Sequence, residues 1–184
     1  MDVLPHVSVD GFFYEILNEA LEAVRVEATE PAGWYLVSLM GELTRARLPD
    51  EPLAMKLAQA RAAEPGQRVK GLKEVGDTSL MVAGFFNESL SRKLVDSDYY
   101  IGLGRGAYAE LAGHLAGTLT DVYRELSANF PAFVEVLGEV RRRVDFAGCD
   151  VMKLYQHWLH TRDAWIEKKL RALGVMVDAT ATVQ

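Results

Sequence analysis

The residues best suited to chemistry gather in one stretch, Val95-Asp96-Ser97-Asp98-Tyr99-Tyr100, with Arg105 close behind. Upstream lie Asp77, within Val75-Gly76-Asp77-Thr78-Ser79-Leu80, and Arg92. Carboxylates beside phenols and guanidinium groups can hold a polar ligand or move a proton. The same residues also have structural uses. Asp96 or Asp98 can cap a helix that starts there, because a carboxylate oxygen satisfies N–H groups that the first turn leaves unpaired. Tyr99 and Tyr100 then pack in that turn. Asp77 precedes an apolar run, where an unpaired charge is costly. Arg92, Arg105 and the two tyrosines are its candidate partners. The expectation is a ligand site or polar network built from Asp77, Arg92, Asp96, Asp98, Tyr99, Tyr100 and Arg105. Asp77 and Arg105 should share a partly buried link between two helices.

Metal chemistry has less support. His157 and His160 stand three residues apart, with Cys149 upstream. A helical wheel puts both histidines opposite Leu154, Trp158 and Trp165, so they should face solvent. A closed zinc site takes about four ligands, and no second cluster supplies the rest. His114 follows Glu110 by one turn and reads as a histidine at the edge of a core face. No Glu-x-x-His occurs, which removes the di-iron bundle pattern. A Gly-x-Ser-x-Gly elbow, a P-loop and a His-Glu-x-x-His helix are also missing. Gly102-x-Gly104-x-Gly106 follows no strand and lacks dinucleotide spacing. No catalytic residue, metal or cofactor is assigned.

These residues sit on a chain that reads as helix after helix. Asp10 is a candidate N-cap for a first helix with Phe12, Phe13, Ile16, Leu17, Ala20, Leu21 and Val24 on one stripe. Pro31 suits the first turn of a second. This helix is apolar nearly all round through Trp34-Tyr35-Leu36-Val37-Ser38-Leu39-Met40, and so expected to be central. A third, near Pro52 to Ala63, carries Leu53, Leu57 and Ala60. A fourth starts after Pro65 and ends near Asn87 or Ser89. A long fifth begins around Asp96 to Asp98 and runs to about Ala128, where Asn129-Phe130-Pro131 breaks it. Phe133, Val136, Leu137, Val140 and Val144 mark a sixth. The last follows Asp150 and carries Trp158, Trp165, Ile166 and Leu170, with Gly174 as C-cap. The fifth helix puts Gly102, Gly106, Ala109, Gly113, Ala116 and Gly117 on one face. Each interior glycine costs up to about 1 kcal/mol against alanine, so a second helix should pack closely along that face.

The fold class is therefore all-α, a bundle of about six or seven helices around a glycine-rich one. One domain spans 1–184, with an ordered core of about 8–174 and a frayed tail at 178–184. The 184 residues carry 20 Lys and Arg against 26 Asp and Glu, a formal charge of −6. That balance argues against nucleic acid and anionic membrane as partners, since both need a basic face. Arg141-Arg142-Arg143 is too short to reverse it. The single cysteine cannot form an internal disulfide and points to a reducing compartment. No basic n-region opens the chain, and the longest apolar run, Leu80 to Phe86, is far short of a span.

Gly76 to Leu90, with Gly76-Asp77-Thr78-Ser79-Leu80 at its start and Asn87-Glu88-Ser89-Leu90 at its end, Val95 to Tyr108, and Leu154-Tyr155-Gln156-His157-Trp158-Leu159-His160-Thr161 together resemble a group of uncharacterised bacterial helical proteins of about this length. The likeness covers most of the chain from Trp34 to Gly174. It implies a bacterial, cytoplasmic protein and carries no site residue. Two functions remain. The first is a non-enzymatic cytoplasmic interaction or regulatory protein, with another protein as partner, neither nucleic acid nor membrane, and a homo-oligomer compatible. The second is a bundle that binds a small apolar or planar ligand or cofactor between the fourth and fifth helices, in one form a redox enzyme. Whether the chain is an enzyme stays open, with the weight against.

Overall fold

The computed structural model describes residues 9–43, 51–86, 96–147 and 151–172, together with 175 and 177. All secondary structure among these residues is helical, in nine helices. They are α1 (Val9–Val24), α2 (Glu30–Leu43), α3 (Leu53–Ala62), α4 (Pro65–Gly84) and α5 (Ser97–Gly113). Then follow α6 (Thr118–Ala128), α7 (Phe130–Ala147), α8 (Val151–Thr161) and α9 (Ala164–Ala172). The chain divides into two compact units, Met1–Arg141 and Arg142–Gln184, with the boundary inside α7. None of the described helices is long and apolar enough to cross a membrane.

In the first unit, α1 buries Phe13, Ile16, Leu17 and Ala20, spaced at three and four residues, and packs this stripe on α2. Asp10 falls inside the first turn, since the helix already starts at Val9. Arg25 closes α1 in the left-handed region (φ 57°), with the Val26 N–H donating to the Leu21 carbonyl at 3.0 Å. That is the six-to-one bond that satisfies a helix's last carbonyls. Thr29 starts α2. Its hydroxyl accepts from the Ala32 N–H at 3.4 Å, and Pro31 occupies the first turn. The helix buries Ala32, Leu36, Val37, Leu39 and Met40, but Trp34 is 43% exposed. The nearly all-round apolar sequence thus leaves one side to solvent.

The α3 core positions are Leu53, Leu57 and Ala60, as the spacing indicates, and α3 packs on α4. Pro65 opens α4, which ends at Gly84, short of Asn87 or Ser89; the Phe85 N–H closes it onto the Met81 carbonyl at 2.8 Å. The expected long fifth helix is two helices. His114-Leu115-Ala116-Gly117 interrupts it, with Gly117 at φ 72°, a conformation that side chains with a Cβ rarely adopt. The α5 helix packs along α4 and α6 through Gly104, Ala107, Tyr108, Leu111 and Ala112. Its glycine face is open, contrary to the expected close helix crossing. A Cβ at Gly102, Gly106 or Gly113 would meet nothing within 4 Å among the described residues, and Ala109 is exposed. The reason is competition between faces: the larger apolar residues took the buried side. Asn129 separates α6 from α7 where Pro131 indicates, and α7 buries Phe130, Phe133, Val136, Leu137 and Val140.

In the second unit the expected single last helix is also two, α8 and α9. Arg162 turns the chain through the left-handed region (φ 54°). Asp163 then caps α9: its Oδ1 accepts from the N–H groups of Trp165 at 2.8 Å and Ile166 at 3.2 Å. Its Oδ2 takes the Arg142 guanidinium at 3.0 Å. Burial acts to raise the Asp163 carboxyl, but the two N–H donors and Arg142 outweigh it and hold the group below its ordinary value. Trp158, Trp165, Ile166 and Leu170 form this unit's core, with Tyr155, Leu159, Val175 and Val177 packed against it. The Arg162 guanidinium lies 4.3 Å from the Trp158 ring centre. Gly174, Cys149 and the tail 178–184 lie outside the described residues.

Candidate functional site

Four helices of the first unit converge on one carboxylate. Asp77, on α4, is 8% exposed. Its Oδ1 accepts from the Tyr108 hydroxyl of α5 at 2.8 Å and from the Tyr35 hydroxyl of α2. Its Oδ2 takes the Lys73 ammonium at 2.6 Å, one turn earlier on α4. Tyr123 of α6 completes the group: its ring centre lies 5.3 Å from that of Tyr35 and 5.5 Å from that of Tyr108.

Local sequence explains this convergence. Lys73 and Asp77 are four apart, so one face of α4 carries both. Gly76 lets the Tyr108 ring lie against α4, since a Cβ there would come within 2.4 Å of the ring. Gly104 does the same on α5, where a Cβ would stand 2.2 Å from Phe130 and 2.9 Å from the Cβ of Ser79. Those two glycines let α4 and α5 approach closely where Tyr108 reaches Asp77. Phe130 packs on Tyr108 at 5.9 Å between ring centres. The Ser79 hydroxyl, fully buried beside them, has no hydrogen-bond partner among the described residues.

Electrostatics fix the protons. Burial pushes the Tyr35 and Tyr108 phenols far above their ordinary range, and the Asp77 charge adds to it. Burial also raises Tyr123. Burial acts to lower Lys73, but the Asp77 carboxylate outweighs it and keeps the ammonium above its ordinary value. The phenols are therefore donors and the lysine a fixed cation. The arrangement can bind and orient, but it offers no deprotonated phenol or neutral amine to accept a proton.

The sequence expectation and the site share Asp77 alone. Arg105 is exposed on α5 and does not reach Asp77; its carbonyl accepts from the Ser127 hydroxyl at 2.9 Å. Asp96 occupies the N-cap position of α5 without a side-chain cap bond. Asp98 is exposed in the first turn, where its charge complements the helix N-terminus. Tyr99, 40% exposed, meets half-buried Tyr100 edge-on at 5.3 Å. Arg92 lies outside the described residues. The residues missed are Tyr35, Lys73, Tyr108 and Tyr123. The spacing of Lys73 and Asp77 was a usable signal, and Tyr108 adjoins Ala107 on the buried face. Nothing local ties Tyr35 or Tyr123 to Asp77.

His157 and His160 are exposed, as the wheel indicates, and His160 Nδ1 lies 2.7 Å from the Gln156 carbonyl. His114 is exposed at the end of α5, off the core edge expected for it, because the helix stops there. Among the described residues no group of three or more His, Cys, Asp or Glu could hold a metal. Compared with family models, curated proteins and solved structures, the chain matches none.

Proposed function

We propose that the chain is a non-enzymatic helical interaction or regulatory protein of the bacterial cytoplasm, with another protein as its partner. One observation carries the reading: the polar cluster that joins α2, α4, α5 and α6 is closed to chemistry. A general base or nucleophile needs an available lone pair at working pH. Here the phenols keep their protons, the carboxylate serves three donors and the ammonium is paired. The bacterial and cytoplasmic parts rest on the sequence resemblance and the single cysteine.

Exposed Trp34, stacked on half-buried Tyr14, is one anchor the first unit offers a partner. Trp34 stacks on Tyr14 with ring centres 4.6 Å apart, and Trp34 remains 43% exposed. Aromatic side chains are the typical anchors of protein interfaces. The test is purification of the full chain from its own cells beside the Trp34→Ser variant, with protein and small-molecule mass spectrometry. The reading expects a protein held by the wild type and lost from an equally helical variant. A stoichiometric small molecule retained by both, especially one with a visible absorption band, would overturn it in favour of a ligand-binding or redox protein.

A further inference from the structure

Charge is spread unevenly along the chain. Residues 9–43, which are α1, α2 and the turn between them, carry seven Asp and Glu against Arg25 alone. The rest of the chain holds 19 Asp and Glu against 19 Lys and Arg, so the formal charge of −6 belongs to this helix pair. Glu15 and Glu22, seven residues apart on one side of α1, are exposed, as is Glu30 in the first turn of α2. None of the three has an ion-pair partner among the described residues. Trp34 follows Glu30 by one turn, and its ring rests on Tyr14, the residue before Glu15. Glu125 of α6 adds a carboxylate where α2 begins, accepting from the Thr29 N–H at 2.9 Å. An exposed aromatic anchor flanked by uncompensated carboxylates is complementary to a basic segment that carries an apolar side chain, and it repels phosphate.

We propose that the exposed face of α1 and α2 around Trp34 docks a Lys- or Arg-rich segment of a partner protein. An apolar side chain of that segment rests on Trp34 and Tyr14, and its cations lie against Glu15, Glu22 and Glu30. The inference rests on the interaction reading and names the partner's chemistry.

The full chain is titrated into three fluorescein-labelled peptides of 18 residues, with anisotropy as the readout. One is a helical amphipathic peptide of leucine and lysine, the second has glutamate for each lysine, and the third is oligolysine. The leucine–lysine peptide should bind, more weakly as salt rises. Oligolysine should bind less tightly for want of an anchor, and the glutamate peptide not at all. Glu15→Gln/Glu22→Gln/Glu30→Gln should weaken binding about tenfold, the combined size of three exposed ion pairs. Trp34→Ser should weaken it by about as much. Glu64→Gln/Asp96→Asn/Asp98→Asn, which removes as much exposed charge elsewhere, should leave it within about twofold. Should Trp34→Ser lose its helical circular dichroism, the glutamine variant decides alone. The proposal is overturned by no binding, by equal binding of oligolysine or the glutamate peptide, or by equal losses in the two charge variants. Sedimentation of the chain alone tests the other occupant: self-association that Trp34→Ser abolishes would make a second copy the cover of this face and overturn the basic partner. A native partner lost on Trp34→Ser, beside a failed peptide titration, would leave the interaction reading standing and remove only the basic segment.

Discussion

Asp77 works as a shared acceptor, and its partners differ in what their loss costs. Asp77→Ala would leave the hydroxyls of buried Tyr108 and half-buried Tyr35 without their acceptor. An unsatisfied buried group costs about 1–3 kcal/mol, so denaturant unfolding should register a loss of about 2–4 kcal/mol. Lys73→Ala should cost less, about 1 kcal/mol, because its side chain is 41% exposed and its ion pair is partly screened by solvent. In double-mutant cycles Asp77→Ala should couple strongly to Tyr108→Phe. It should add to Arg105→Ala within about 0.5 kcal/mol, the behaviour of residues with no shared partner. Coupling to Arg105 instead would restore the network the sequence suggests. That network failed for a physical reason. A carboxylate in an apolar run announces that it needs partners, and Asp77 announced it correctly. Which partners arrive depends on helix crossings: on α5 Arg105 faces solvent while Tyr108, three residues on, reaches Asp77, and Tyr35 arrives from α2.

The helix α5 shows at the element scale how glycines of one helix can have opposite roles. Gly104→Ala, and likewise Gly76→Ala on α4, would drive a Cβ into a ring and should destabilise by about 1–3 kcal/mol. Gly106→Ala faces open space and should stabilise by about 0.5–1 kcal/mol. Thermal melts of the three variants decide it, and a destabilised Gly106→Ala would mean that this face is covered after all. Sequence periodicity located the helices well, down to the Leu53, Leu57 and Ala60 stripe and the break at Asn129. It missed the breaks at Gly117 and Arg162 because both are made by one left-handed residue inside otherwise helical composition. Asp163→Ala, which removes the cap of α9, should cost the second unit about 0.5–2 kcal/mol. The Asp163 carboxyl is held low in the folded state. Its contribution should therefore be complete above the unfolded value near 3.8 and fade as pH falls below that. A pH series of unfolding free energies for wild type and Asp163→Ala should converge on the acid side.

At the scale of the whole molecule, the all-helical architecture was legible and the helix count was not, since two expected helices are each a pair. Function was least legible, because neither composition nor motif distinguishes a binding protein from an enzyme when the polar residues that matter are scattered singly along the chain. The first unit holds a closed cluster, with phenols pushed above their ordinary range by burial. Their folded pKa values lie above the ordinary 10.0, so the stability they contribute is full below that pH. Above it, unfolded phenols lose protons that folded ones keep, and stability falls by about 1.4 kcal/mol per pH unit for each fully buried phenol. An alkaline titration of the intact chain, with tyrosinate absorbance and helical circular dichroism recorded together and Tyr35→Phe, Tyr108→Phe and Tyr123→Phe as assignments, tests this most directly. Tyr35 and Tyr108 should ionise only together with the loss of helix, and Tyr123 above its ordinary range. Ionisation of any of them near or below pH 10.0 in a chain that is still folded would contradict this.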